Sequence, residues 1–378
     1  MSISFLGHLS GGKTTRRFWL AQLGALSLGT AACSRGTSQE RGQETGSGSG
    51  SGSDLQLSFA CVDNYDRTRP LLDGTVKPEG IVLQSRAEGP GALFRQVAQQ
   101  TDFDISEMST STFMILTSRG DDRYVGIPVY PSRNFRHGYV FINRNSGISR
   151  PEDLAGKRVG MVEYQTTAAL WQRIFLQDDF GIKANQIEWS EGGLNTPDEP
   201  ERFHVDMPSD IHLSRIGPGQ TLSQMLEEGK LDALIGPAEP ECFRRASHIE
   251  RLFPDYRSVE KDYYKRSGFF PIMHLVVIRR EIYQEHPWVA QSLFDAFQSA
   301  LATQFERIRN TSVLACALPW LMSDLEEIEE VFGDEHWPYG IAKNKALLER
   351  MTQASFEQGL SARKLEVEEL FVEEMWGT

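Results

Sequence analysis

Residues 154–171 read LAGKRVGMVEYQTTAALW. The segment KRVGMV (157–162) predicts a short strand, and the residues after Thr167 have the apolar spacing of a helix. The polar loop between them ends in two threonines, a residue type that caps helix N-termini. A strand, a short polar loop and a helix in this order form the repeating unit of a parallel sheet with helices on its faces.

The same alternation continues before and after this stretch. It predicts an α/β fold with two lobes, each a mainly parallel sheet flanked by helices, and a ligand cleft between them. Lobe 1 is expected to comprise residues 54–143 and 268–378, and lobe 2 residues 144–267. The strand-like segments behind this prediction include LQLSFACV (55–62), FDISEMS (103–109), HGYVFIN (137–143), KLDALIG (230–236) and GFFPIMHLVVIRR (268–280).

The first 53 residues have the pattern of an export leader. Arg16 and Arg17 precede the mildly apolar stretch 20–32, Cys33 follows it, and residues 46–53 read GSGSGSGS. This pattern predicts a twin-arginine-like export signal over 1–32 and a flexible tether over 33–53, with lipidation at Cys33 as one outcome. An ordinary secretory signal is the alternative, and Thr30 stands where a lipidation site usually has leucine. We therefore expect an exported protein at the periplasmic or extracytoplasmic face of the membrane.

The charge and cysteine content exclude several classes of function. The net charge of −13 argues against nucleic acid and anionic membranes as partners. We therefore expect the protein to contact a membrane through a lipid anchor at most. Apart from Cys33, the three widely spaced cysteines form neither a disulfide framework nor a zinc motif, and at most one disulfide is expected. Neither an HExxH pair nor a nucleotide-binding glycine motif is present, so we predict no metal and no organic cofactor.

One candidate ligand site is PSRNFRHG, residues 131–138. It places Arg133, Arg136 and His137 between two strand-like segments, and arginine can hold a carboxylate through two parallel hydrogen bonds. We predict that these residues contact a ligand. A solvated turn with two surface arginines is the alternative.

Two strand-to-helix junctions are further candidates. Glu163, Thr166 and Thr167 precede one helix, whose free N–H groups could receive an anion. Glu107 and Ser109 stand at a similar junction. Plain helix capping without a ligand is the alternative at both places.

Three other residues complete the predicted site. Tyr65 could stack on a planar ligand, and Arg67 could pair with its charge. For Arg67, a structural ion-pair group with Asp66 and Arg69 is the alternative. His274 ends the apolar segment FFPIMH, where a core histidine is the alternative to a residue exposed in the cleft.

Several stretches together resemble a known family. The chain is similar to type II periplasmic solute-binding proteins, and within that fold to the 4,5-dihydroxyphthalate decarboxylase-like group. The resemblance covers most of residues 55–371. It is carried by DNYDRTRPLLDGTVKPEGI, FDISEMSTSTF, IPVYPSRNFRHGYVFIN, EYQTTAALW, RLFPDYRSVEKDYY, FFPIMHLVVIRR and WPYGI.

The resemblance implies two functions. One is an exported, membrane-tethered solute-binding protein that captures a small anionic ligand, carboxylated and aromatic in character, for the permease of an ABC-type transporter. The alternative is a cofactor-independent aromatic acid decarboxylase. In it, His137 or His274 would protonate the ring carbon, and Glu107 or Glu163 would set the histidine tautomer. The leader favours the receptor.

Overall fold

The computed structural model describes residues 54–378, so the predicted export signal, Cys33 and the tether lie outside the described residues. The strands are β1 (Leu55–Val62), β2 (Ile81–Glu88), β3 (Ile105–Ser109), β4 (Tyr124–Arg133), β5 (Val140–Asn143), β6 (Arg158–Met161), β7 (Glu188–Glu191), β8 (Leu213–Arg215), β9 (Ala233–Ile235), β10 (Ile249–Arg251) and β11 (Ile272–Arg279). The helices are α1 (Arg69–Leu72), α2 (Pro90–Gln99), α3 (Thr110–Ser118), α4 (Thr167–Phe180), α5 (Leu222–Glu227), α6 (Glu241–Arg245), α7 (Tyr256–Ser267), α8 (Arg280–Glu285), α9 (Trp288–Arg309), α10 (Leu321–Phe332) and α11 (Lys345–Glu357).

The strands form two sheets. Sheet 1 has the order β2-β1-β3-β11-β4, and sheet 2 has the order β10-β5-β9-β6-β7-β8. In sheet 1, β11 runs antiparallel to both of its neighbours, while β1 is parallel to β2 and β3. In sheet 2, β5 is antiparallel to β9 and β10, and the pairs from β9 through β8 are parallel. The predicted α/β fold with two mainly parallel sheets is confirmed.

The chain passes from sheet 1 to sheet 2 between Arg133 and Val140, and it returns before Ile272. The predicted boundary at residue 143 differs from this crossing, because β5 pairs with β9 and β10 and therefore belongs to sheet 2. Local sequence predicts that 140–143 is a strand. It contains no information on which distant strands pair with it.

One buried apolar cluster contains residues of both sheets, among them Phe59 of β1 and Trp189 of β7. Helix α4 lies within this shared core, and its ten residues from Thr167 to Leu176 are all buried. A helix that is buried on every side has packing partners all around it. None of the helices in residues 54–378 is both long and apolar enough to cross a membrane.

Hydrogen bonds also connect α4 to sheet 1 and to the C-terminal segment. The Trp171 indole N–H donates to the carbonyl of Ile272 at 2.9 Å, at the start of β11. The buried Arg173 donates from Nε to Oε1 of Gln358 at 2.6 Å, just after α11. Helix α4 thus ties the two sheets together, and its N-terminus lies at the cleft described next.

Candidate functional site: an arginine-lined cleft with a buried carboxylate–histidine pair

A cleft of about 430 Å³ is lined by residues of both sheets and of the loops that follow their strands. The strand ends of sheet 1 supply Ser109 from β3, Ser132 and Arg133 from β4, and His274 from β11. His274 is in register with Ser109 on one side and with Ser132 on the other. Because β11 runs antiparallel to both neighbours, its first residues meet the last residues of β3 and β4 at one sheet edge.

Glu107 and His274 form a hydrogen-bonded pair beneath this edge. The Glu107 side chain is fully buried, and its Oε1 lies 2.6 Å from Nδ1 of His274. Its other oxygen accepts the backbone N–H of Val62 at 2.8 Å. Since a carboxylate accepts hydrogen bonds, Nδ1 carries the proton, and Nε2 is the nitrogen left for a ligand in the cleft.

The charge state of His274 is set by opposing effects. Burial lowers the pKa of His274 below its ordinary value, and the charges of Arg136 and Arg202 lower it further. The hydrogen bond and the negative charge of Glu107 act in the opposite direction. Burial and the nearby Glu107 also raise the pKa of Tyr65 to about 12, so this phenol keeps its proton at neutral pH.

Aromatic side chains surround the pair. The Tyr65 hydroxyl lies 3.4 Å from Nδ1 of His274, and Phe94 packs edge-on against the imidazole with ring centroids 4.5 Å apart. The Arg67 guanidinium lies over the ring of Tyr65 at 4.0 Å and over that of Trp337 at 4.5 Å. Flat side chains at these positions suit a planar ligand whose edge has negative charge.

The N-terminus of α4 forms another part of the cleft wall. Thr166 caps the helix by accepting the N–H of Ala169 at 3.4 Å. The hydroxyls of Thr167 and Ser109 lie 2.9 Å apart, and Thr167 also accepts the N–H of Ser111. The capping that the sequence predicts is therefore present, and the same threonines line the cleft.

Positive charge dominates the lining. Two glutamates, Glu163 and Glu199, line the cleft together with six arginines. These arginines are Arg67, Arg95, Arg133, Arg136, Arg202 and Arg215. In a chain with a net charge of −13, the excess of arginine here makes the cleft a local site for anions.

Arg133 and Arg136 are buried without a carboxylate partner among residues 54–378. Arg133 donates to the carbonyls of Phe270 and Pro338 and to the Asn344 side chain. Arg136 donates to the Pro237 carbonyl at 3.0 Å and contacts the Met273 sulfur. Burial lowers the pKa of each arginine to about 10, which leaves both charged at neutral pH.

Comparison with known proteins identifies the family, although no family model matches the chain. A 4,5-dihydroxyphthalate decarboxylase of Comamonas testosteroni is 37% identical over 320 residues, which cover 84% of this chain and 97% of that protein. The chain belongs to the 4,5-dihydroxyphthalate decarboxylase family. A second member, from Pseudomonas putida, is 38% identical over 216 residues, covering 57% of this chain and 83% of the relative.

A solved structure supports the fold of this decarboxylase family member. The alkanesulfonate-binding protein SsuA from Xanthomonas axonopodis pv. citri, bound to MOPS, aligns with a TM-score of 0.51 and 10% identity. The alignment covers 85% of this chain and 99% of that protein. The likeness confirms the periplasmic-binding-protein fold.

The structure brings most of the predicted site residues of this decarboxylase relative into one place. Glu107 lies behind the cleft wall, where it holds His274. The roles of the predicted site residues toward a ligand remain predictions. The predicted residues in the lining are Tyr65, Arg67, Ser109, Arg133, Arg136, Glu163, Thr166, Thr167 and His274.

His137 lies elsewhere, which corrects its pairing with Arg133 and Arg136 in the predicted clamp. Its ring stacks on Phe175 with centroids 4.0 Å apart, in an aromatic cluster with Phe253 and Tyr263. The side chain is 1% exposed, and burial lowers its pKa to about 4. The chain enters a short 3-10 turn at His137, and this turn directs the ring into the core and away from the cleft.

Sequence reasoning missed several lining residues, of which Arg202 and Phe94 are the most informative. Arg202 stands in a polar, proline-rich stretch that gives no local sign of burial, yet it is 7% exposed. Phe94 has the ordinary spacing of a helix core residue. Only the tertiary structure places Phe94 against His274 and Arg202 over Phe94.

Proposed function

We propose that this protein is a decarboxylase of a hydroxylated aromatic dicarboxylate of the 4,5-dihydroxyphthalate type. The observation that carries the proposal is the Glu107–His274 pair at a cleft lined by arginines. A receptor would need only the arginines, which bind the negative charges of a ligand. A histidine that a buried carboxylate holds in one tautomer, with its other nitrogen left for the cleft, is in addition suited to moving a proton.

The chemistry follows from the substrate. In 4,5-dihydroxyphthalate each carboxylate is attached to a ring carbon para to a hydroxyl group, which raises the electron density at that carbon. Protonated His274 delivers a proton from Nε2 to this carbon. The bond to the carboxylate breaks, its electron pair returns to the ring, and CO2 leaves. Each turnover consumes one proton and yields 3,4-dihydroxybenzoate, and His274 is protonated again from solvent.

The remaining residues have assigned tasks in this proposal. Glu107 keeps the Nδ1–H of His274 in place and stabilises the imidazolium. Guanidinium groups of the cleft hold the carboxylates, and Tyr65 and Phe94 bound the ring. Orientation of this kind, with water excluded, accounts for much of the rate gain of an enzyme.

The shared core also supports an enzyme over a receptor. Periplasmic receptors open and close by rotating two lobes about a hinge. Here most of α4 is buried in the core that both sheets share, and α4 is hydrogen-bonded to β11, so a wide rotation would disrupt this core. The receptor remains a second candidate, because Arg16, Arg17 and Cys33 fit the sequence pattern of an export leader and the fold is that of solute-binding proteins.

The test is turnover of 4,5-dihydroxyphthalate by the full chain, measured as CO2 release and as formation of 3,4-dihydroxybenzoate. His274→Asn removes the proton donor, and we expect kcat to fall by about 10²–10⁴-fold. Phthalate, which lacks the hydroxyls, should still bind to this variant. His212→Asn is the matched control, because His212 is exposed and is not part of the cleft lining.

Glu107→Gln tests the role of the buried carboxylate. It removes the charge that opposes the lowering of the His274 pKa, so the descending limb of the kcat–pH profile should move to lower pH. Tight binding of 4,5-dihydroxyphthalate without any CO2 release by the native chain would instead establish the receptor.

A further inference from the structure

A long loop covers one side of the cleft. Residues 193–212, here called the cap, connect β7 to β8 without a helix or a strand. Loops of this length inside a compact fold are uncommon and are usually functional. Three cap residues, Glu199, Pro200 and Arg202, belong to the cleft lining.

The cap extends from sheet 2 to the helices beside sheet 1. The Gln99 side chain at the end of α2 donates to the carbonyl of Arg202 at 2.8 Å. Arg202 itself donates from Nη1 to the Thr112 hydroxyl of α3 at 2.7 Å. On the outer side, Arg119 donates to the His204 carbonyl at 3.2 Å.

Arg202 is the central residue of these contacts. Oε1 of Glu163 accepts its backbone N–H at 2.7 Å, and Oε2 of the same carboxylate lies 3.4 Å from Nη2. Its Nε is buried and has no hydrogen-bond partner among residues 54–378. Arg202 is 7% exposed, lines the cleft and has a spare N–H, so its guanidinium can bind one more acceptor.

Arg136 provides a second positive group near the pair. It contacts Met273, the neighbour of His274, while Arg202 lies over Phe94, which packs on the His274 ring. The charges of Arg136 and Arg202 both act on His274. Two guanidinium groups near one proton donor suit a ligand with two adjacent carboxylates.

We propose that Arg202 binds the carboxylate that the substrate retains, so that it selects dicarboxylates over monocarboxylates and fastens the cap over the cleft. The proposal rests on the proposed function for the choice of an aromatic dicarboxylate. It also explains product release. 3,4-Dihydroxybenzoate has one carboxylate, so after the reaction one of the two guanidinium groups has no anion to hold.

The test compares the affinities of phthalate and benzoate for the full chain by calorimetric titration, without turnover. The native chain should prefer phthalate. Arg202→Gln should weaken phthalate binding by about 10–100-fold and leave benzoate binding unchanged, because it removes a charged hydrogen bond to the second carboxylate alone. Arg202→Lys keeps the charge but loses the planar guanidinium, so its phthalate affinity should lie between that of the native chain and that of Arg202→Gln.

Arg119→Gln is the matched control. It removes an anchor on the outer side of the same cap, and it should leave the phthalate-to-benzoate ratio at the native value. Phthalate should slow hydrogen exchange of residues 193–212 in the native chain and in this control, and not in Arg202→Gln.

An unchanged phthalate-to-benzoate ratio in a folded Arg202→Gln variant would overturn the inference. If Arg202→Gln lowers the phthalate-to-benzoate ratio as expected but the native chain releases no CO2 from 4,5-dihydroxyphthalate, the proposed function is rejected and the dicarboxylate site stands. The two failures are therefore distinguishable.

Discussion

Two histidines of this chain show how local position sets the role of a residue. His274 lies on a strand at the cleft edge, hydrogen-bonded to a buried carboxylate. His137 lies in a turn, stacked on Phe175, and neither of its ring nitrogens has a hydrogen-bond partner among the described residues. Burial therefore keeps His137 neutral, whereas Glu107 helps His274 to accept a proton.

His137 and the nearby Glu260 should give opposite pH dependences of stability. Burial lowers the pKa of His137 to about 4, so its contribution to stability is lost as pH falls from 6.5 towards 4. Burial raises the pKa of Glu260 to about 7, so its contribution is lost as pH rises from 4.5 towards 7. Each effect amounts to about 3 kcal/mol at most.

The measurement is the free energy of unfolding in urea between pH 4.5 and 7.5. His137→Phe keeps the stacked ring, and its stability should fall more steeply with pH than that of the native chain. Glu260→Gln keeps an acceptor for the Gly138 N–H, and its stability should rise more steeply with pH. Parallel curves for all three proteins would show that neither group titrates as described.

At the residue scale, the sequence could identify which side chains have useful chemistry but not which of them lie close together in the fold. Glu107 and His274 are both visible in the sequence as candidates, and 167 positions separate them. Their contact depends on the antiparallel register of β3 and β11, which no local pattern encodes. Arg202 was missed for the same reason, because its burial comes from contacts with α2 and α3.

At the scale of elements, most strands were predictable from the sequence, and the two edge strands of sheet 2 were not. β1 and β11 are eight residues long, with apolar patterns that predict their strands. β8 and β10 have three residues each, too few for an alternation to be recognised. These short strands form the two edges of sheet 2, where pairing with a single neighbour is enough.

Gly126 allows β4 to approach the C-terminal segment closely, because it has no side chain. A Cβ at Gly126 would overlap the carbonyl oxygen of Leu370, and Gly126 is bridged to Phe371. Gly126→Ala should therefore lower the free energy of unfolding by about 1–3 kcal/mol, because backbone atoms must move. Gly91→Ala, in α2 with open space around its Cβ position, should raise it by up to about 1 kcal/mol. Urea denaturation of the two variants tests the contrast, and equal stabilities would contradict it.

At the scale of the whole described region, the two sheets share one apolar core. Residues of both belong to the same buried cluster, and α4 packs within it. We therefore expect residues 54–378 to unfold in a single calorimetric transition, which phthalate shifts to higher temperature because it binds the folded form. Two resolved transitions, with only one of them shifted by phthalate, would show that the sheets are independent units.

The position of β11 has a consequence for protein synthesis. This strand lies between β3 and β4, yet it is translated more than 130 residues after the end of β4. While the ribosome makes sheet 2, β3 and β4 lack the neighbour that joins them, and the edge that becomes the cleft is incomplete. His274 arrives on that same strand. A nascent chain interrupted before residue 272 would thus contain neither a finished sheet 1 nor a proton donor, so the reactive group enters the molecule only with the strand that completes its scaffold.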